Sequence, residues 1–356
     1  MCFDRQVISR GKADKAGKVL AQVYTSHGGD LSYVRNSEEV QQHFRLVQAW
    51  RSMQIDPTRT VFEQLQQVSS LLPHSLVTFR LKRVSSILKK LSRKSSNLRL
   101  GSMDDIGGCR LIVETCDQVD LAVQQILSRL KIKESRGIKD YISCPQDSGY
   151  RSHHIIAVVP GETLSSRVEI QVRTRLQHSW ATGVEAASAI YGQDYKSPEN
   201  LVDLDRPYVK QFFQLASALF ALEEDRPVAS NMPTDKQILK HDLKSLPCYE
   251  QVCSDLLDAT DSSFQSIYHP FNELGPNLYL LEYDREEQVL YSTPFSTSSV
   301  SDALDWYNQS EEEDVFSMLR DTVLVYAASS EYLSAAFPNY STNLDEFTEN
   351  LRRCME

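Results

Sequence analysis

Arg167-Val-Glu-Ile-Gln-Val-Arg173 alternates charged or polar residues with β-branched ones without a break. Successive side chains of a β-strand point to opposite faces. This run therefore buries Val168, Ile170 and Val172 and gathers Arg167, Glu169, Gln171 and Arg173 on the other face. Helical spacing of apolar residues recurs on both sides of it. Val119, Val123, Ile126, Leu127 and Leu130 lie upstream, and the stretches 174–192 and 205–224 lie downstream. A strand covered by helices on both faces leaves a polar row buried or lining a cleft. From the run alone, a plain solvent face stays open as the alternative.

Arg110–Glu114 and His154–Pro160 read as two more strands, the second ended by Pro-Gly. Helices are expected over 37–54, 60–73 and 76–95; the last sets Phe79, Val84, Ile87, Leu88 and Leu91 against a lysine- and arginine-rich face. Interleaved strands and helices predict an α/β (α+β) fold, a mixed β-sheet flanked by helices. A chain of 356 residues has room for two domains. Residues 1–75 read as an N-terminal helical region and 76–225 as the main domain. Residues 226–245, with Pro227 and Pro233, read as a linker, and 246–356 as a smaller C-terminal α/β domain. In that last part 278–283 and 288–291 suggest a strand pair, 300–307 a helix, 322–327 a strand and 344–351 a helix.

The formal net charge of −10 conceals a split. Residues 1–225 carry 30 Lys+Arg against 25 Asp+Glu, whereas 226–356 carry 8 against 23. Between 45 and 100 eleven basic residues face only Asp56 and Glu63. Such a basic half suits a polyanionic substrate, either nucleotide or RNA. No run of eighteen apolar residues occurs, so no membrane partner is expected. Met1–Arg10 lacks the apolar stretch of a signal peptide. The seven cysteines are scattered without a CxxC pair and read as free thiols of a cytoplasmic protein.

Three further stretches add candidate chemistry. Asp104-Asp-Ile-Gly-Gly-Cys-Arg110 puts carboxylates just before a Gly-Gly turn, at the mouth of the next strand. A carboxylate there and one on a neighbouring strand could share a cation. Mg²⁺ takes oxygen ligands, often one or two carboxylates plus substrate phosphates. For Asp105 alone a helix cap or Asx turn is an equal reading. Arg80-x-Lys82-x-x-x-Ser86-x-x-x-Lys90 spaces Lys82, Ser86 and Lys90 by four, which on a helix is one face. Lys139-Asp-Tyr-Ile142 and Gly149-Tyr-Arg-Ser-His-His154 supply a glycine-hinged loop whose Tyr150 suits stacking on a nucleobase.

Taken in this order, the stretches RLKRVSSILKK, DDIGGCRLIV, KDYI, GYRSHH and VEIQVRT resemble the synthetase domain of the RelA/SpoT family, over roughly residues 75–192. The resemblance implies a nucleotidyltransferase-like sheet and a Mg²⁺-dependent transfer of the β,γ-pyrophosphate of ATP to the 3′-hydroxyl of GDP or GTP. Asp105 and Glu169 would hold the metal. Arg80 and Arg110 would sandwich the adenine, and Lys82, Ser86 and Lys90 would hold the ATP phosphates. Lys139, Tyr150 and His154 would serve the acceptor, with Gln171 and Arg173 in support. Hydrolase activity is not expected: about 75 residues precede Arg80, too few for the hydrolase domain of the long members, and His241-Asp242 is an isolated pair.

The acceptor stays open. Some small members of that family are toxins that modify the 3′-CCA end of tRNA or make adenine alarmones, and the basic 45–99 stretch could grip RNA. A non-catalytic nucleotide-binding regulator is a third reading. The acidic C-terminal region is expected to dock on the basic half and restrain it, or to bind a regulatory protein through its tyrosines, among them Tyr279, Tyr283, Tyr332 and Tyr340. A permanently packed domain or an oligomer interface is the alternative.

Overall fold

The computed structural model describes residues 7–93, 97–162, 164–193, 195, 206, 208–261, 265–268, 277–284, 286–287, 289–317, 320–327 and 344–356. Tyr332 and Tyr340 lie outside the described residues. Three helices come first: α1 (Arg10–Ser26), α2 (Glu38–Ser52) and α3 (Ile55–Ser69). The central segment runs β1 (Leu76–Leu81), α4 (Val84–Leu91), β2 (Gly107–Val113), α5 (Cys116–Arg129), β3 (Ile138–Asp140), β4 (His153–Val159) and β5 (Ser166–Thr174). Helices α6 (Arg175–Tyr191), α7 (Val209–Glu223), α8 (Lys236–Lys244) and α9 (Tyr249–Asp261) follow. Then come β6 (Gln265–Tyr268), β7 (Asn277–Asp284), β8 (Val289–Phe295), α10 (Val300–Ser317), β9 (Arg320–Ala327) and α11 (Asp345–Met355).

The described strands form one nine-stranded sheet in the order β3-β4-β5-β2-β1-β9-β7-β8-β6. It is mixed, as expected. β2 runs parallel to β5 and β6 parallel to β8, and the other neighbours are antiparallel. The C-terminal strands add to the same sheet, because β9 pairs with β1 at Phe79↔Tyr326 and Arg80↔Val325.

Side-chain alternation gives this sheet two unlike faces. On one, Phe79, Leu81, Cys109, Leu111, Ile155, Val168, Ile170, Val172, Leu280 and Leu324 join a single apolar core. Helices α3, α5 and α10 cover it through residues such as Phe62, Leu65, Val119, Ile126, Leu304 and Tyr307. Gly107 makes the α3 contact possible, since a Cβ there would fall 1.9 Å from Thr58 Oγ1. Among the described residues a further apolar cluster lies on the opposite face of β7, β8 and β9, with Tyr279, Leu281, Leu290, Val323, Val325 and Ala327. Two helical satellite cores also flank the sheet. One joins α1, α2 and α4; the other joins α6, α7, α8, α9 and α11 around Trp180, Phe213 and Phe347.

The helix expected over 76–95 is a correction: β1 occupies 76–81, and α4 spans only 84–91. β1 is flanked by β2 and β9, and all its residues except Arg80 are buried. A strand buried on both faces loses its alternating signature and merges with the helical run that follows. Lys82 therefore precedes the helix that carries Ser86 and Lys90. Residues 226–245, expected as a linker, contain α8, which packs on α7 through buried Leu239 and Leu243.

Candidate active site

The sheet register sets the polar face. Arg80 pairs with Gly108, and Thr78 with Arg110, so Arg80 and Arg110 are diagonal neighbours on one face. Gly108 lies opposite Glu169 and Arg110 opposite Gln171. Gln171 in turn lies opposite His154, and His154 opposite Lys139. Five strands thus place Arg80, Arg110, Glu169, Gln171, Arg173, His154 and Lys139 on the face away from the apolar core. The cleft row expected from the alternating strand is present, and it continues across the neighbouring strands.

Asp105 sits in the turn before β2 and collects two lysines. Lys82 Nζ donates to Asp105 Oδ2 at 2.8 Å, and Lys90 Nζ to the same oxygen at 2.7 Å. Burial alone would push the Asp105 carboxyl up, but the two ammonium groups outweigh it and hold it well below the usual carboxylate range. Burial lowers the Lys82 pKa, with Asp105 opposing. The second oxygen, Asp105 Oδ1, is buried without a hydrogen-bond partner.

Glu169 stands on β5. Its Oε1 lies 3.2 Å from His154 Nδ1, and its Oε2 accepts from Gln171 Nε2 at 2.9 Å. Burial raises its pKa, the bond and charge of His154 lower it, Asp105 raises it and Gln171 lowers it; the net shift is downward. The other ring nitrogen, His154 Nε2, is 2.8 Å from the Tyr150 hydroxyl. With Nδ1 donating to Glu169, Nε2 accepts from Tyr150, and the three groups form one hydrogen-bonded chain.

Lys90, Asp105, Lys139, His154 and Glu169 line one cavity of about 110 Å³. Its polar lining and size suit a few waters or a phosphate group. Arg80, Arg110, Arg173 and Tyr150 lie outside it along the same face. There the guanidinium groups crowd one another: burial, then Arg173 and Arg80, push the Arg110 pKa down, with Glu185 of α6 opposing. Arg173 is lowered too, chiefly by burial, and its Nη2 lies 2.5 Å from His178 Nδ1. Ser86, half-buried on α4, is not among the cavity residues.

The Tyr150 loop is fixed from beneath. Gly149 has φ +88°, and a Cβ there would lie 2.9 Å from Ser217 Cβ and 3.2 Å from the Trp180 ring. Arg151 donates to Glu224 at 2.5 Å, and Gln177 Nε2 to the same carboxylate at 3.1 Å. The Tyr150 ring stands edge-on to His154, at 5.6 Å and 88°. Burial raises the Tyr150 pKa, so it stays a neutral phenol near neutrality.

Sequence reasoning passed over several residues. Arg136 lines the cavity with a left-handed φ of 56°. Asp104, another cavity residue, accepts from Lys133 at 2.6 Å and pairs with Arg167 at 2.8 Å, which fixes the turn that presents Asp105. A basic residue before Gly137, two positions ahead of Lys139, was the only available signal for Arg136; nothing local links Asp104 to Lys133.

The family profile described as a region found in RelA / SpoT proteins matches residues 79–196. The chain carries a RelA/SpoT domain. The GTP pyrophosphokinase YjbM of Bacillus subtilis is 36% identical over 131 residues, which are 35% of this chain and 59% of that protein. GTP pyrophosphokinase YwaC of the same organism is 30% identical over 141 residues, 36% of this chain and 66% of that protein. Both matches therefore span less than two thirds of these relatives. The crystal structure of small alarmone synthetase 1 from Bacillus subtilis, bound to its product pppGpp, covers 49% of this chain and 93% of its own, at 27% identity and a TM-score of 0.41. Among the described residues no helix is long and apolar enough to cross a membrane.

Proposed function

We propose that the RelA/SpoT domain is a Mg²⁺-dependent pyrophosphokinase that transfers the β,γ-pyrophosphate of ATP to the 3′-hydroxyl of GDP or GTP. The observation that carries this reading is the single cavity in which Asp105 and Glu169 meet Lys90, Lys139 and His154. The similarity to GTP pyrophosphokinases supports it.

The 3′-oxygen of the acceptor attacks the β-phosphorus of ATP, the bond from that phosphorus to the α-phosphate oxygen breaks, and AMP leaves. In this reading Glu169 takes the proton of the attacking hydroxyl. His154 holds that carboxylate from one side and Gln171 from the other. Lys82 and Lys90 turn from Asp105 to the polyphosphate, and Lys139 faces the acceptor phosphates. Arg80 and Arg110 offer guanidinium planes to the adenine, and Tyr150 its ring to the guanine.

Asp105 and Glu169 would hold the Mg²⁺. The fit rests on Asp105 Oδ1, a buried oxygen without a partner, and on an all-oxygen carboxylate set that leaves positions for phosphate and water. No group of three or more His, Cys, Asp or Glu that could hold a metal ion occurs among the described residues. When bound, Mg²⁺ supplies neutralisation of the charge that builds on the transferred group.

The test is to incubate the protein with Mg²⁺, ATP radiolabelled in its γ-phosphate, and GDP, GTP, ATP or tRNA in turn. Label on GDP or GTP is the expected result. Label on tRNA alone, or on none of them, overturns it.

A further inference from the structure

The ATP-phosphate helix α4 begins badly for its sequence. Its N-cap residue is Arg83, whose side chain makes no capping hydrogen bond. Ser, Thr, Asp or Asn is favoured there, because a short side-chain acceptor satisfies the free N–H groups of the first turn. At eight residues the helix is also too short to be stable by itself. Its missing cap arrives from the C-terminal region. Glu311 of α10 accepts the backbone N–H of Val84 through Oε1 at 2.8 Å.

The other oxygen of Glu311 is anchored. Arg51 of α2, fully buried, donates to Oε2 at 2.6 Å. A second Arg51 nitrogen donates to Asn308 Oδ1 at 2.6 Å, and the guanidinium lies 3.9 Å from the centroid of the Tyr307 ring. Beside this, Asp321 of β9 pairs with Arg83, and β9 hydrogen-bonds β1 at Arg80. All three contacts fall on the short segment 80–84, which runs from the adenine-side Arg80 through Lys82 into the helix that carries Lys90.

We propose that Glu311 is a positioning residue for ATP binding: it caps α4 from the C-terminal region and so fixes the placement of Lys90. The acidic region is then part of the donor site and not merely a weight tethered to it. This rests on the ATP-donor reading given above.

The experiment measures the Kd of a non-hydrolysable ATP analogue by calorimetry, KM for ATP and for GDP, and Tm, all on the full chain. Four proteins are compared: wild type, Glu311→Ala, Asn308→Ala, and the double variant Glu311→Ala with Arg83→Ser. Loss of a cap predicts that Glu311→Ala weakens analogue binding and raises KM for ATP roughly tenfold, with KM for GDP within about twofold of wild type. Asn308→Ala loosens the same Arg51 network without touching α4, so it lowers Tm and leaves ATP binding intact. Arg83→Ser supplies a local hydroxyl cap and recovers most of the ATP affinity in the double variant. If Glu311→Ala does not fold, Glu311→Asp takes its place, since it keeps the charge near Arg51 but falls a methylene short of Val84. Unchanged ATP binding in the Glu311 variants, equal weakening in Asn308→Ala, or no recovery with Arg83→Ser overturns the inference alone. A wild-type protein that does not bind the analogue overturns the donor reading, and the inference with it.

Discussion

At the scale of single residues, the candidate site gathers opposite charges around one cavity. Asp105 Oδ2 takes both Lys82 and Lys90 while Oδ1 has no partner. Asp105→Asn should cut kcat by at least about 10²-fold, the scale of losing one group that stabilises transition-state charge. Glu169→Gln should do likewise with little change in nucleotide Kd, since the amide keeps the shape; full activity in this variant would remove Glu169 from the mechanism. The pH dependence follows from the direction of the shifts. Both carboxyls have folded pKa values below their unfolded ones. Their contribution to stability is therefore complete above the unfolded value of about 4 and is lost as pH falls below it towards the folded values. Tm should drop in that acid range, and Asp105→Asn should flatten part of the drop. Tyr150 tests the acceptor side. Tyr150→Ala should raise KM for GDP roughly tenfold or more, because stacking of a base on an aromatic ring contributes about 1–3 kcal/mol. Tyr150→Phe, which keeps the ring and loses the hydroxyl that bonds His154, should stay close to wild type.

At the scale of elements, legibility depended on exposure. β5 was readable because one face is apolar and the other polar, so its period of two survived in the sequence. β4, β2, α5 and α6 were readable for similar local reasons. β1 was not. Leu76, Val77, Thr78 and Phe79 are buried on both faces of the sheet, so no alternation survives and the run merges with the helix that follows it. The face shared by Lys82, Ser86 and Lys90 was for that reason misassigned, although Lys82 and Lys90 do converge, on Asp105 and not along a helix. The Tyr150 loop gives an element-scale prediction. Gly149→Ala places a Cβ against Ser217 and Trp180 in a left-handed conformation. It should lower stability by about 1–3 kcal/mol, read as a fall in Tm, and raise KM for GDP as the loop shifts.

At the scale of the whole molecule, the acidic and basic halves are knitted together. β9 covers the edge of β1, α10 covers the same apolar face as α3 and α5, and α11 packs Phe347 between Phe213 and Phe220. A chain ended at residue 225 would uncover a strand edge and a broad apolar face, which is a recipe for association. Such a fragment should be insoluble or aggregated on size exclusion. A soluble, monodisperse fragment more active than the full chain would show instead that the acidic region restrains the domain.

By itself the sequence determined the polar row of β5, the mixed helix-and-strand fold and the residue types of the site. These depend on alternation and spacing, which are local properties of the backbone. Only the tertiary structure decided that Arg80, Arg110, His154 and Lys139 share a face with that row, because register between distant strands sets it. Only it decided that Glu311 reaches Arg51 across 260 positions and caps Val84 across 227. Contacts of that range come from how whole elements pack, and no pattern within a short stretch of chain encodes them.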